Sequence, residues 1–157
     1  MSLANPLPDR PQGCTNLKLR QLMRRLGAVF DQEMARSGLR GTQYSLLSHV
    51  IKLGPLRAVD LARAMKLSTS TLSRNLQPLV AAGWVLVRPG ADARSRLILA
   101  SEAGLEKRKE AQAMWRVAQE RVNAMLGPAK VIALHALLDE SLLRLEEAGA
   151  PEGGDEE

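Results

Sequence analysis

STSTLSRNLQPLVAAG, residues 68–83, reads as a helix that is capped at its start and polar along one side. Ser68 is a favoured N-cap residue, because its hydroxyl can accept from one of the first unpaired helical N–H groups. Leu67 just ahead of it can meet Leu72 as a hydrophobic staple. Leu72, Leu76, Leu79 and Leu86 are then expected to face inward, and Gly83 to end the helix. The outer side of the first two turns keeps Thr69, Ser70, Thr71, Ser73, Arg74 and Asn75. These short hydroxyls, one amide and one guanidinium are groups that reach base edges and phosphates of DNA. An ordinary surface helix with a polar first turn has the same composition, so the flanking segments decide between the two.

Immediately upstream, residues 59–65 form a short helical pattern, with Leu61 and Ala62 where close packing needs an aliphatic and a small side chain, and Lys66-Leu67-Ser68 makes the turn. A short helix, a tight turn and a second helix is a helix-turn-helix. Immediately downstream, residues 84–88 and 96–99 read as a strand and a returning strand around a Pro-Gly-containing loop, so a hairpin comes directly after the second helix, as a wing. Arg94 sits at its tip, and an exposed arginine there suits the negative potential of a narrow minor groove.

Further out, apolar positions Leu19, Leu22, Met23, Leu26, Val29, Phe30 and Met34 recur at three and four from residue 15 or 16 to about 37, with Gly38 as the stop. Thr42 is expected to cap a second helix that Gly54-Pro55 breaks. Ser101 is expected to cap a long helix to Leu126, about 39 Å at 1.5 Å per residue. Beyond Gly127-Pro128, residues 131–145 are apolar around most of the helix and need a partner surface, which a second copy of the chain would supply. Two-fold pairing would place two reading helices about one DNA turn apart, roughly 34 Å.

The charge distribution agrees with a polyanionic partner. Residues 57–96 hold seven basic side chains against Asp60 and Asp92, within a chain of net charge +5, whereas the tail from Glu146 carries Glu146, Glu147, Glu152, Asp155, Glu156 and Glu157 with no cation among its residues. No apolar run is long enough to span a bilayer and no secretion signal is visible, so a cytoplasmic protein is expected. A single cysteine, Cys14, excludes an intramolecular disulfide, and two separated histidines give no metal motif, so neither a metal nor a cofactor is expected.

Taken together, Leu61-Ala62, the 68–83 helix with Ser73-Arg74, the wing sequence Asp92-Ala-Arg94-Ser-Arg96-Leu97 and the adjoining Ser101-Glu-Ala-Gly104 resemble the MarR family of winged-helix regulators, from Cys14 to about Leu145. The resemblance implies a mainly α fold with a small β-hairpin wing, made of a winged helix-turn-helix lobe and a helical dimerisation lobe built from N- and C-terminal helices. It implies an obligate homodimer on double-stranded DNA, at a palindromic operator, released by a small aromatic or phenolic effector or by cysteine oxidation. By resemblance, Ser70, Thr71, Ser73 and Arg74 face the major groove or its phosphates, with Thr69, Asn75 and Arg96 beside them. Arg94 enters the minor groove, and Asp92 braces the wing through a nearby arginine. Pro78 departs from the pattern, because inside the reading helix it removes the bond to the carbonyl of Arg74.

Cys14 stands where the organic-hydroperoxide-sensing branch carries its reactive cysteine, which makes it a possible redox sensor. The two tyrosines that partner that cysteine are absent, with Phe30 and Gly41 near their expected places. Tyr44, His49 and Trp115 are candidates for lining an effector pocket, although each also fits a core position. The expected organisation is a flexible segment 1–13, a single domain 14–145 and an acidic flexible tail 146–157. Within the domain the winged helix-turn-helix covers about 42–100, and dimerisation helices cover about 14–37 and 101–145. The reading is a dimeric, sequence-specific transcriptional repressor. The alternative is a winged-helix protein-interaction dimer without DNA-binding activity. Catalysis by Cys14 has no histidine with an orienting acid to support it, so no enzyme is expected.

Overall fold

A computed structural model describes residues 9–92 and 95–151. Helix α1 (Thr15–Met34) runs into a 3-10 turn (Ala35–Ser37) that ends at Gly38, φ 74°. Only a residue without a Cβ adopts that left-handed backbone freely, which explains the stop. Ser37 is the buried residue of the turn, and its hydroxyl is satisfied by donating to the Met34 carbonyl (2.7 Å) and accepting from the Leu39 N–H (3.3 Å).

Helix α2 (Gly41–Leu53) begins earlier than its sequence suggests. Arg40 is the N-cap rather than Thr42, and the Gln43 side chain reaches back to accept from the Arg40 N–H at 2.8 Å. That reverse contact satisfies a donor outside the helix and makes a β-hydroxyl cap at position 42 unnecessary. Gly54-Pro55, joined by a cis peptide bond, ends the helix. Strand β1 (Leu56–Arg57), α3 (Ala58–Met65) and α4 (Thr69–Ala81) come next, then β2 (Val85–Pro89) and β3 (Arg96–Ala100).

The hairpin is not alone. A third strand, β1, joins it in the order β1-β3-β2, all antiparallel, with Leu56 opposite Ile98 and Arg57 opposite Leu97. Between β2 and β3 the register runs from Val85 opposite Ala100 to Pro89 opposite Arg96. Strand β1 ties the wing to the entry of α3, so the hairpin is anchored at its base on two sides.

The core lies beneath α4. Leu46, Leu47 and Val50 from α2, Leu61 and Ala62 from α3, Leu72, Leu76 and Leu79 from α4, and Val85 and Ile98 from the sheet close on one another. Each fully buried aliphatic side chain contributes about 1.5–3 kcal/mol. Leu86 does not join them: it is half-buried and Val85 is the inward residue. The helix has already ended at Gly83, so side-chain direction obeys the two-residue period of a strand.

Helix α5 (Glu102–Leu126) is capped by Ser101, whose hydroxyl accepts from the Gly104 N–H at 3.0 Å. Its 25 residues reach ~37 Å. It packs along α1, where Arg121 pairs with the buried Glu33 and donates to Gln32 at 3.1 Å. Helix α6 (Pro128–Glu147) starts with Pro128 in its first turn, where a missing N–H costs nothing. Glu146 and Glu147 belong to this helix and not to a flexible tail, and residues 152–157 and 1–8 lie outside the described residues.

Val131 is the only buried residue of α6 among the described residues. Ile132, Leu137, Leu142, Leu143 and Leu145 are all more than half exposed, as are Leu17 and Met23 on α1. Among the described residues no helix is long and apolar enough to cross a membrane, and no group of three or more His, Cys, Asp or Glu could hold a metal ion.

Candidate nucleic-acid interface

The turn before α4 is built from main-chain bonds. Lys66 ends α3 in the left-handed region (φ 54°), which lets its N–H reach the Arg63 carbonyl (3.1 Å) and the Leu67 N–H reach the Ala62 carbonyl (2.9 Å). Ser68 then caps α4: its hydroxyl accepts from the Thr71 N–H at 3.2 Å, donates to the Thr71 hydroxyl at 2.9 Å and lies 3.1 Å from that of Ser70. These bonds fix the orientation of the first turn. Thr71 is half-buried and engaged with the cap, whereas Thr69, Ser70, Ser73 and Arg74 are exposed. Asn75 is half-buried at the edge of the same face.

Gln77 is exposed and continues that face, four residues after Ser73 and seven after Ser70. Its helical spacing was the available signal, and its amide can pair with adenine in the major groove. Helix α4 continues through Pro78 to Ala81 without a break. It ends in a Schellman turn, with the Trp84 N–H on the Leu79 carbonyl and the Gly83 N–H on that of Val80, both at 3.0 Å.

Beside the reading helix, Arg57 holds Asp60 in a two-pronged contact, 2.8 Å from Nε and 3.2 Å from the second guanidinium nitrogen, with Arg63 3.7 Å from the same carboxylate. The hydrogen bond from Arg57 holds the Asp60 carboxyl below the ordinary carboxylate range. Arg57 is in turn held protonated mainly by its bond to Asp60 and by that residue's charge, with the charge of Asp92 as the smallest contribution. Asp92 also shapes the wing through its main chain, since its carbonyl accepts from both the N–H and the hydroxyl of Ser95 at 3.0 Å. Arg94 lies outside the described residues. Arg88 and Arg96 are exposed on the paired strands and, with Val87, Pro89 and Ser95, line a hollow of about 220 Å³ whose two guanidiniums suit a phosphate.

The three aromatic candidates meet elsewhere. Tyr44, His49 and Trp115 line one pocket of about 390 Å³ together with Phe30, Gly41, Ser45, Ser48 and Arg108. Trp115 stacks on Tyr44 and tilts against Phe30, with ring centroids 6.3 Å apart in both pairs. The His49 Nδ1 lies 2.8 Å from the Ser45 carbonyl, so this nitrogen is the donor, and in the neutral ring Nε2 is the acceptor. Arg108 donates to Gln112 at 2.9 Å and brings a guanidinium to the lining. Sequence spacing offered no means to place Phe30 and Arg108 here, because they come from helices α1 and α5 on opposite sides of α2 in the chain. Cys14 is exposed at the N-cap of α1 and forms no side-chain capping bond.

Comparison with known proteins places this architecture. The model of the MarR family matches residues 37–95, which hold α2, the helix-turn-helix and most of the wing. The transcriptional regulator MosR of M. tuberculosis, solved in complex with DNA, is similar at 32% identity with a TM-score of 0.66, over 83% of this chain and 98% of that one. The transcriptional repressor CouR, solved on a 23-mer DNA duplex, shares the fold at 18% identity with a TM-score of 0.77, over 82% and 92% of the two chains. The HTH-type transcriptional regulator YwoH of Bacillus subtilis (strain 168) is 24% identical over 93 residues, 59% of this chain and 68% of that protein.

Proposed function

Because the chain belongs to the MarR family of transcriptional regulators, whose members are not enzymes, we propose that it binds double-stranded DNA as a homodimer and represses transcription from a palindromic operator. The carrying observation is the exposed face of α4, with Thr69, Ser70, Ser73 and Arg74 presented on a helix whose cap, turn and core leave it little freedom. Exposed apolar side chains on α1 and α6 supply the surface for the second copy. In this reading α4 enters the major groove, Arg96 meets phosphate and Arg94 enters the minor groove. The protein acts in the cytoplasm, where its operator is.

Footprinting of the purified protein on the DNA flanking its own gene tests the reading. A palindromic footprint is expected. No footprint, together with no salt-sensitive binding to any duplex, would leave the protein-interaction dimer as the function. Within a footprint, Arg94→Ala is expected to weaken operator binding by about tenfold, near the middle of the range for a lost groove contact, with the dimer unchanged in sedimentation. Unchanged affinity would remove the wing tip from the interface.

The pocket at Tyr44, His49 and Trp115 is the proposed effector site, for a small aromatic or phenolic molecule. Three rings supply stacking, Arg108 attracts an acidic substituent and His49 Nε2 accepts from a hydroxyl. Titration with aromatic acids and phenols is expected to quench Trp115 fluorescence and release the operator, and Tyr44→Ala to abolish both. Release by mild oxidant alone, lost in Cys14→Ser, would instead make Cys14 the sensor.

A further inference from the structure

Gln77 stands near the middle of the exposed side of α4. Each helical residue advances by about 100°, so Ser70, Arg74 and Gln77 fall within about 60° of one another, on the side opposite Leu72 and Leu79. Those two leucines are 1% and 0% exposed, and the packing that buries them turns the Gln77 amide outward. The other amide of the helix, Asn75, lies about 100° round from Arg74 toward the core and is half-buried. One turn beyond Gln77 the exposed line continues with Ala81, followed by Ala82 and Gly83, all exposed and too small to overhang the amide.

The amide has a chemistry that its neighbours lack. It can grip adenine with two hydrogen bonds, donating to N7 and accepting from the N6 amino group. It carries no charge, so it adds nothing to the salt-dependent attraction between protein and phosphate. Its influence on DNA binding is therefore confined to sequence. From Ser70 to Gln77 the helix rises by about 10.5 Å, roughly three base-pair steps of 3.4 Å, so the two ends of the exposed line stand over different base pairs.

We propose that Gln77 is a specificity-determining residue that reads an A·T pair at one fixed position in each half of the operator. The inference rests on the DNA-binding reading above. In it the cations of the interface supply affinity for any duplex, and the neutral amide at the centre of the helix selects among sequences. Alanine is a strong helix former, so Gln77→Ala removes the amide and keeps the helix. Gln77→Glu keeps the length of the side chain and exchanges the donor for an acceptor, which suits the N4 amino group of cytosine.

The test selects binding sites from a library of random-sequence duplex with the full-length parent, Gln77→Ala and Gln77→Glu. The affinity of each protein is then measured for the parent's selected duplex and for random duplex. The parent is expected to enrich A·T at one position of each half-site. Gln77→Ala should lose the preference at that position alone and bind the selected duplex about 5- to 150-fold more weakly, the discrimination of one bidentate base contact. Its affinity for random duplex, and the salt dependence of that affinity, should equal the parent's. Gln77→Glu should move the preference at that position to C·G. Unchanged preference in both variants would overturn the proposal, as would a loss at a pair other than A·T. A loss spread evenly over the half-site would overturn it too, since that would make Gln77 a support of the helix. If the parent bound no duplex at all, the DNA-binding reading would fall, and the proposal with it.

Discussion

Arg74→Ala is expected to weaken operator binding by about 5- to 150-fold, the equivalent of the ~1–3 kcal/mol carried by one groove-reading arginine. The side chain stands on the second turn of α4, two residues after the buried Leu72 and two before the buried Leu76, so its position is set by the core while the side chain itself is exposed. Thermal unfolding of the variant should match the parent, and the loss should be confined to DNA affinity measured by anisotropy. Arg74→Lys separates two roles. A lysine keeps the charge and restores phosphate attraction, but it lacks the planar fork that reads guanine. Full recovery in Arg74→Lys would make Arg74 a phosphate contact, partial recovery with relaxed sequence preference would make it a base reader, and unchanged affinity in Arg74→Ala would remove it from the interface.

Gly104→Ala is expected to be the most destabilising single methyl added at the junction between α5 and the wing. A Cβ at this position would lie 2.1 Å from the Trp84 carbonyl oxygen and 3.0 Å from its carbon, and these are main-chain atoms that cannot swing aside. The same short stretch is stitched from the other side. The Ser101 N–H donates to the Trp84 carbonyl at 3.0 Å and the Ser101 hydroxyl to the Gly83 carbonyl at 2.6 Å. Relief of the clash must separate the start of α5 from the end of α4 and break those bonds. Overpacking of this kind costs about 1–3 kcal/mol, which for a chain of this size lowers Tm by about 2–12 °C. DNA affinity should fall as well, because the hairpin hangs from the displaced segment. A calorimetric Tm equal to the parent's would show that α5 can shift without loss.

The features legible in the sequence were those that a few neighbouring residues determine. Ser68 and Ser101 cap their helices because a hydroxyl at that place satisfies an N–H three residues on. Gly38 and Gly83 stop helices because both take positive φ. The apolar spacing of residues 72, 76 and 79 reported the buried side of α4. Misreadings arose where a second element decided the outcome. Thr42 has the better capping side chain, yet Gln43 captures the Arg40 N–H and starts the helix sooner. The two residues of β1 have no pattern of their own and become a strand only through pairing with Leu97 and Ile98. Glu146 reads as the start of a solvated tail, and nothing in local sequence could disclose that it meets Lys66 across the fold. Tyr44, His49 and Trp115 could be singled out by residue type, whereas the guanidinium that gives their pocket its polarity became visible only with α5 in place.

The unbroken course of α5 makes it a lever between the two lobes. Gly104, at one end, touches the carbonyl from which the hairpin departs, and Trp115, farther along the same rod, forms a wall of the aromatic pocket. The two are separated by about 16 Å of helix. If a guest between the rings pivots α5 by about 10° at Trp115, the Gly104 end sweeps about 3 Å, the span of a hydrogen bond. Under the proposed function, occupancy of the pocket would thereby be magnified into a displacement large enough to lift the wing from a groove.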